Sequence, residues 1–159
     1  GDVYKRQTLG DGIGESLRNA GLSQKETRER VESLLKNCGL PPEYADRYPH
    51  QVSGGQCQRA AIARALAIAP RLLICDEITS ALDVTVQKEI LELLNTLRTQ
   101  QGRGLSILFI SHDISLVQQF CDRVLVMYRG EIVEEGTPDE VIRNPKNDYT
   151  KRLIDSVLS

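Results

Sequence analysis

Two short stretches decide the fold: Val52-Ser53-Gly54-Gly55-Gln56, and Leu72-Leu73-Ile74-Cys75-Asp76-Glu77. The first places two glycines directly before a helix-forming run that Pro70 ends. Glycines let a ligand approach the backbone closely, and the N–H groups at a helix start bind phosphate. The second is an apolar run that predicts a central parallel strand, apolar on both faces. It ends in two adjacent carboxylates, Asp76 and Glu77, which we expect to be buried, and a bound cation or a water network is the natural reason for such a pair.

Strands and helices alternate along the rest of the chain. The predicted helices span residues 24–38, 56–69, 84–100, 114–120 and 149–158, with a short helix between Thr137 and Asn144. The predicted strands span 72–75, 105–110, 123–128 and 131–135. Ser23 with Glu26, and Thr137 with Glu140, have the spacing of a capping box. The alternation predicts an α/β fold with a parallel core sheet and an edge hairpin, and the helical stretch before Pro70 forms a separate subdomain.

Composition excludes several other classes of protein. The chain has 159 residues, of which 40 % are hydrophobic and 26 % charged, with a net charge of −2. These values are ordinary for a globular domain and do not indicate a polyanion partner. The four cysteines form no CxxC pair, which favours reduced thiols over a metal site. No apolar run is long enough to span a bilayer, so any membrane role depends on a partner.

Two further motifs complete the pattern, and each follows a hydrophobic stretch: Ser80-Ala81-Leu82-Asp83 and Ser111-His112-Asp113. Together the four pieces resemble the signature loop, Walker B strand, D-loop and switch histidine of an ABC-transporter ATPase, over about Thr8 to Ser159. The resemblance implies the C-terminal part of a P-loop NTPase (RecA-like) parallel-sheet core over residues 70–159. It also implies the α-helical ABC subdomain over residues 8–69.

The resemblance also implies a set of site residues around ATP and Mg²⁺: Ser53, Gly54, Gly55, Gln56, Asp76, Glu77, Asp83 and His112. The signature loop would bind the γ-phosphate of ATP held by the opposite subunit, and Asp83 would lie in the D-loop beside the nucleotides. Asp76 would hold Mg²⁺, and Glu77 would polarise the attacking water. His112 would contact the γ-phosphate.

Each of these residues also has a purely structural interpretation. Ser53 and Asp83 can be simple helix caps, Asp76-Glu77 can be strand-end carboxylates in solvent, and His112 can be a structural histidine. The order and spacing of the motifs favour the site. One departure is Ile78, where the family usually has proline; it alters the turn but removes no catalytic group.

The sequence contains no match to G-x-x-x-x-G-K-[ST], the loop that wraps phosphates in P-loop enzymes. The family's glutamine loop and adenine-stacking aromatic are also not recognisable. Residues 1–7 resemble a translated sequencing-library adaptor, and we expect them to be non-native. A gene cut near Thr8 explains these observations together. We therefore expect that the purified chain does not hydrolyse ATP alone; turnover that Glu77→Gln abolishes would contradict this expectation.

Smaller features resemble the peptide and nickel importer branch of the family. These are Arg47-Tyr48-Pro49-His50, Gly136-Thr137-Pro138, Asn144-Pro145 and Tyr149-Thr150, although the branch usually has His and Pro at Asn147-Asp148. The resemblance implies an ATPase subunit that couples ATP hydrolysis to the uptake of peptides or nickel, at the cytoplasmic face of the cell membrane.

The implied partners are two permease subunits, a second ATPase subunit that is identical or related, and indirectly an extracytoplasmic substrate-binding protein; no nucleic acid is implied. Three alternatives differ in class. They are a non-transport ABC ATPase acting on DNA or ribosomes, a non-catalytic interaction module, and a fragment without a function of its own. The first usually carries coiled-coil or basic insertions, and none is visible here.

Overall fold

The computed structural model describes residues 6–100 and 104–158. Most of the segment predicted to be non-native, and Gly102 in the predicted return after the third long helix, lie outside these ranges. The chain divides into two compact units, and the boundary falls between Leu108 and Phe109. Among the described residues, no helix is both long and apolar enough to cross a membrane.

The first unit is built mainly from four helices: α1 (Leu9–Asn19), α2 (Gln24–Asn37), α3 (Gly54–Leu66) and α4 (Val84–Thr99). Short 3-10 turns lie between α2 and α3, at Pro42–Asp46 and Pro49–Gln51. Hydroxyl caps start the first two helices: Thr8 accepts a hydrogen bond from the backbone of Asp11, and Ser23 from that of Glu26. The cap at Ser23 is therefore confirmed.

Apolar side chains on facing sides of these helices form the core of the unit. Helices α1, α2 and α3 pack on one another, and α3 also packs on α4. The buried members include Ile13, Val31, Leu35, Ile62, Leu66, Ile90 and Leu94. The Arg28 guanidinium on α2 donates to both carboxylate oxygens of Asp46, at 2.8 and 3.1 Å. These hydrogen bonds hold the pKa of Asp46 below its usual range.

A parallel sheet joins β1 (Leu72–Asp76) to β2 (Ser106–Ile110). The backbone N–H of Ser106 donates to the carbonyl of Arg71, at 2.8 Å. Leu73 and Cys75 are buried in β1, but the alternate side chains Leu72 and Ile74 are 52 % and 59 % exposed. Burial of β1 on both faces was therefore a wrong expectation, because within the described residues only one face of the strand is covered.

The second unit contains α5 (Ile114–Phe120), β3 (Val124–Tyr128), β4 (Glu131–Gly136) and α6 (Asp148–Leu158). Strands β3 and β4 pair antiparallel around a two-residue turn, in which Arg129 and Gly130 have φ values of 51° and 79°. Positive φ at both central residues is typical of a type I′ hairpin, whose twist matches that of the strands. The predicted hairpin is confirmed. In the described residues it forms its own two-stranded sheet, whereas the sequence placed it at the edge of the core sheet.

The segment after the hairpin is held by side chains of the hairpin itself. Thr137 and Glu140 exchange the two hydrogen bonds of a capping box, as predicted, and lead into a π-helical turn at Asp139–Arg143. Tyr128 of β3 stacks on Tyr149 of α6, with ring centroids 4.1 Å apart. Hairpin and terminal helix are therefore fixed to each other.

Glu134 is the charged anchor of this arrangement. Its carboxylate accepts hydrogen bonds from the backbone N–H groups of Lys146 and Asn147, at 3.0 and 2.9 Å. Partial burial would by itself raise the pKa of Glu134, but these donors favour the ionised form, and the net effect is a lowered pKa. The ionised carboxylate thus pins the start of α6 to β4.

Because the pKa of Glu134 is lowered on folding, the stabilisation by its ionised carboxylate depends on pH. This stabilisation is fully present above the ordinary glutamate pKa and is lost as the pH falls through the lowered pKa of the folded state. We expect Glu134→Gln to lower the free energy of unfolding by about 1–2 kcal/mol at pH 7, since partial exposure screens the interaction. Below the lowered pKa the variant and the parent should be equally stable. Urea denaturation at pH 7 and at an acid pH below this lowered pKa measures the difference.

The neighbouring Glu135 provides a matched control. It pairs with Arg123 at 3.2 Å on the exposed side of the hairpin. Exposed pairs contribute little, so we expect Glu135→Gln to change the free energy of unfolding by less than about 0.5 kcal/mol at either pH. Equal effects of the two substitutions would show that Glu134 does not anchor α6.

Candidate functional site

The glycines of the signature stretch lie inside helix α3. Ser53 is the N-cap, and Gly54 and Gly55 form the first helical turn. The Ser53 hydroxyl accepts a hydrogen bond from the backbone of Gln56 at 3.2 Å, and the Gln56 side chain accepts one from the backbone of Ser53 at 2.9 Å. This capping box starts the helix two residues before the predicted start at Gln56. The first N–H groups of a helix have no partner within the helix, so the two glycines present backbone donors at a positive dipole end.

Gln56 shapes this helix start through both ends of its side-chain amide. Its Oε1 accepts from Ser53, and its Nε2 donates to the Tyr44 hydroxyl at 3.4 Å. The guanidinium of Arg47 lies over the Tyr44 ring, 3.8 Å from its centroid. The sequence predicts that Gln56 offers hydrogen bonds to a ligand. In the structure these bonds go to the chain itself, so the glycine N–H groups and the Ser53 hydroxyl are the groups that suit an incoming phosphate.

The same glycines allow the predicted D-loop segment to approach α3. A Cβ at Gly55 would lie 2.6 Å from Val86 Cγ1, and one at Gly54 would lie 3.3 Å from Leu82 Cδ2. A side chain at Gly55 would therefore force the two elements apart. The structure brings the signature and D-loop stretches together within one unit. The sequence predicts phosphate binding or a simple helix cap at this stretch, and no local signal in it reveals the contact of the glycines with Leu82 and Val86.

Asp76 and Glu77 end β1 at the surface. Asp76 is exposed and Glu77 is half-buried, so the expectation of a buried carboxylate pair was wrong. The reason is that β1 ends at the sheet edge, and the chain turns away directly after Asp76. Glu77 has a φ of 52°, in the left-handed region. Such strain in a residue other than glycine persists only where the surrounding structure holds it, and it is typical of functional sites.

The donor set at this strand end limits how a metal ion could be held. No group of three or more His, Cys, Asp or Glu side chains that could hold a metal is found among the residues the structure describes. Mg²⁺ commonly keeps several waters and binds through one or two carboxylates together with substrate phosphates. The exposed carboxylate of Asp76 fits this mode of binding, in which protein and nucleotide share the ion.

Asp83 closes the turn that follows the carboxylates. Its Oδ1 accepts a hydrogen bond from the backbone of Val86 at 2.9 Å, which makes it the N-cap of α4. The structural role that the sequence predicts for Asp83 is thus confirmed. Asp83 also lies in the stretch that contacts the signature glycines, so a role at the site is compatible with the cap.

His112 belongs to the second unit, whereas the other predicted site residues belong to the first. It follows β2 and is exposed. The next residue, Asp113, caps α5 by accepting from the backbone of Leu116 at 3.2 Å, and its own N–H donates to the Ser111 hydroxyl at 3.0 Å. These bonds shape the backbone around the histidine. Its contact with a γ-phosphate stays a prediction.

Two cysteines lie next to the predicted site residues, and both are free thiols. Burial raises the pKa of the Cys75 thiol to about 11, and burial also raises the pKa of Cys57. Both therefore stay protonated at neutral pH and are poor nucleophiles and metal ligands. The chemistry of this region rests on carboxylates and backbone N–H groups.

Comparisons with known proteins relate the chain to ATP-binding proteins of transporters. Residues 3–80 match the family model described as ABC transporter. The chain is 50 % identical over 154 residues to the oligopeptide transport ATP-binding protein OppF of Escherichia coli K12, covering 96 % of the chain and 46 % of OppF. It is also 50 % identical over 153 residues to the glutathione import ATP-binding protein GsiA of Escherichia coli O6:H1, covering 24 % of GsiA.

A solved structure supports the same assignment. It is the dimeric structure of a post-hydrolysis state of the ATP-binding cassette MJ0796 bound to ADP and Pi, with a TM-score of 0.71 and 32 % identity. The match covers 84 % of this chain and 58 % of that one. This chain spans about half the length of OppF. The family model, the identity to an oligopeptide transport and a glutathione import ATP-binding protein, and the fold shared with a solved ATP-binding cassette all relate the chain to the ABC transporter family.

Proposed function

We propose that the chain is part of the ATP-binding subunit of an ABC importer for peptides, and that it contributes a signature loop for the ATP held by the opposing subunit and a catalytic carboxylate for ATP hydrolysis. The observation that carries this proposal is the packing of Gly54 against Leu82, and of Gly55 against Val86, at the start of α3. One unit of the chain thereby packs a phosphate-binding helix start on the segment that follows the carboxylates Asp76 and Glu77.

The proposed chemistry follows from what each group can do. The N–H groups of Gly54 and Gly55, with the Ser53 hydroxyl, stabilise the charge of a γ-phosphate from an ATP bound to the opposing subunit. Mg²⁺, when bound, neutralises phosphate charge, and Asp76 supplies a protein ligand to it. Glu77 accepts a hydrogen bond from the attacking water and orients it.

Two further residues, Asp83 and His112, have roles in the proposed reaction. Asp83 holds the D-loop turn at the subunit interface by capping α4. His112 contacts the γ-phosphate from the loop after β2. Support for pairing of two such subunits comes from the cassette with the similar fold, whose structure is dimeric and contains ADP and Pi.

The proposed partners are two permease subunits, a second ATPase subunit and, indirectly, an extracytoplasmic substrate-binding protein. In the described residues no helix is suited to crossing a bilayer, so attachment to the cytoplasmic face of the membrane would pass through the permeases. Closure of the ATPase pair around ATP, and its reopening after hydrolysis, would drive alternating access.

The identity to OppF and GsiA favours an importer over a DNA- or ribosome-associated ABC ATPase, because OppF is named for transport and GsiA for import. OppF is an oligopeptide protein, and GsiA a glutathione one. Both substrates are peptides, which favours peptide uptake over nickel uptake. The presence of both Glu77 and His112 argues against a non-catalytic module, since neither side chain is needed for folding alone.

Uptake measurements in the source cells test the proposal. We expect disruption of the gene that contains this sequence to abolish uptake of a labelled tripeptide, and a copy of the intact gene to restore it. Uptake of labelled Ni²⁺ should not change. If only Ni²⁺ uptake is lost, the transported substrate is nickel and not a peptide. If uptake of both peptide and Ni²⁺ is normal, an import function for these substrates is rejected.

A further inference from the structure

We propose that Gln87 is a positioning residue for the reaction at Glu77, and that the first turn of α4 mechanically links Glu77 to the signature loop. The inference rests on the proposed function, because it concerns how the same site is held in shape. Gln87 is half-buried and lies one turn into α4.

Gln87 reaches back from α4 into the turn that carries the carboxylate. Its Nε2 donates to the carbonyl oxygen of Thr79 at 2.9 Å. Thr79 is only 2 % exposed, and its carbonyl also accepts from the backbone of Leu82 at 3.2 Å. This buried carbonyl therefore has two donors, one within the turn and one from the helix, which fixes the turn against α4.

The turn needs such support because Glu77 is in a strained backbone conformation, with a φ of 52°. The Glu77 carbonyl accepts from both the backbone and the hydroxyl of Ser80, at 3.2 and 3.0 Å. A left-handed glutamate persists only when its surroundings determine it. Ser80 stabilises the turn at Glu77, and Gln87 stabilises the same turn at Thr79.

The residue before Gln87 contacts the signature loop. Val86 Cγ1 lies 2.6 Å from where a Cβ of Gly55 would be. Val86 and Gln87 are thus adjacent on one helical turn. Val86 contacts the phosphate-binding helix start, and Gln87 contacts the turn that follows the catalytic carboxylate. A movement of α3 against α4 is transmitted to the backbone that aims Glu77, so phosphate contact and carboxylate orientation change together.

Kinetics of the transporter assembly that contains this sequence provide the first test. Gln87→Met keeps the length of the side chain but removes the donor. Because misplacing a catalytic group by about 1 Å can lower a rate by about 100-fold, we expect kcat for ATP hydrolysis to fall by about tenfold or more. The KM for ATP should stay within about twofold, because no phosphate-binding group is lost. Lys88→Met, an exposed change on the same turn, is the matched control and should leave both constants unchanged.

Amide hydrogen exchange of the purified chain provides a second readout. Loss of one hydrogen bond should speed exchange of the Ser80 and Leu82 amides by about 2- to 12-fold in Gln87→Met, and not in Lys88→Met. Gln87→Glu, which replaces the donor by an acceptor of the same shape, should reproduce both effects. If neither amide exchange nor kcat changes in Gln87→Met, the proposal is wrong. It is also wrong if kcat falls only in proportion to a smaller folded fraction of the variant. If the parent assembly has no ATPase activity, the proposed function is rejected instead. Faster exchange in Gln87→Met would then still support the hydrogen bond by which Gln87 stabilises the turn.

Discussion

Replacing Glu77 by glutamine is expected to lower kcat for ATP hydrolysis in the transporter assembly by about 10²- to 10⁴-fold. The amide has nearly the same size, but it cannot accept a proton from the attacking water. Binding of a fluorescent ATP analogue should be retained, since the glycine N–H groups and Ser53 are untouched. Steady-state phosphate release measures the first quantity, and an equilibrium titration the second.

Glu89→Gln is the matched control for this prediction. Glu89 lies on α4, and its carboxylate is 4.0 Å from the Arg59 guanidinium. The contact is long and exposed, so the control should change kcat by less than about twofold. A Glu77→Gln assembly that keeps a third or more of the parent rate would exclude Glu77 as the group that activates water.

Glu77→Gly separates the chemistry of the side chain from the strain in the backbone. A left-handed conformation costs a residue other than glycine about 1–2 kcal/mol, and glycine avoids this cost. Glycine also has more entropy in the unfolded state, which cancels about 0.5–1 kcal/mol of that advantage. We therefore expect the purified Glu77→Gly variant to be more stable than Glu77→Ala, which loses the same side-chain contacts, by about 0.5–1 kcal/mol. Ala81→Gly, in the same turn and without a positive φ, should lower stability. A Glu77→Gly variant that is less stable than Glu77→Ala would show that the backbone there is unstrained.

Leu94→Ala is expected to lower the free energy of unfolding by about 3 kcal/mol, within the range of 2–5 kcal/mol observed for buried leucines. Leu94 is 0 % exposed in the middle of α4, and Ile90 and Leu97 on the same face are also 0 % exposed. With neighbours this tightly packed, the site cannot collapse to fill the cavity. The loss is a large fraction of the about 5–15 kcal/mol that stabilises a typical domain.

Urea denaturation followed by far-ultraviolet circular dichroism measures this effect. The midpoint should shift while the slope stays constant, because the area exposed on unfolding hardly changes. Val84→Ala is the control on the same helix: its side chain is 81 % exposed, and the change should stay within about 0.5 kcal/mol. If Leu94→Ala costs less than about 1 kcal/mol, α4 does not form part of a tightly packed core.

Several elements could be predicted because their signals are local. Asp83 predicted the start of α4, and its side chain does cap that helix. Arg129-Gly130 predicted the hairpin, and both residues have the positive φ that the tight turn requires. In each case the deciding hydrogen bonds or torsion angles involve residues within about one turn of each other, so a short window of sequence contains the whole cause.

Other predictions misplaced the ends of an element or its burial. The glycines were expected to precede the helix, but the capping box of Ser53 includes them in α3. The predicted helix extends to residue 69, yet α3 ends at Leu66, and Ala69 is exposed with a φ of 50°. Burial of β1 was overestimated, because an apolar run indicates that a strand can be covered on both faces and not that both faces are covered.

The sequence by itself determined the caps of α2 and α4, the hairpin, the order of the motifs and the resemblance to an ABC ATPase, since each depends on neighbours along the chain. Only the tertiary structure decided that Gly55 meets Val86, that Gln87 holds Thr79, and that Glu77 stands in a left-handed conformation. Packing and hydrogen bonds between separate elements impose these features. Their energies arise from contacts between elements that form only when the chain is folded.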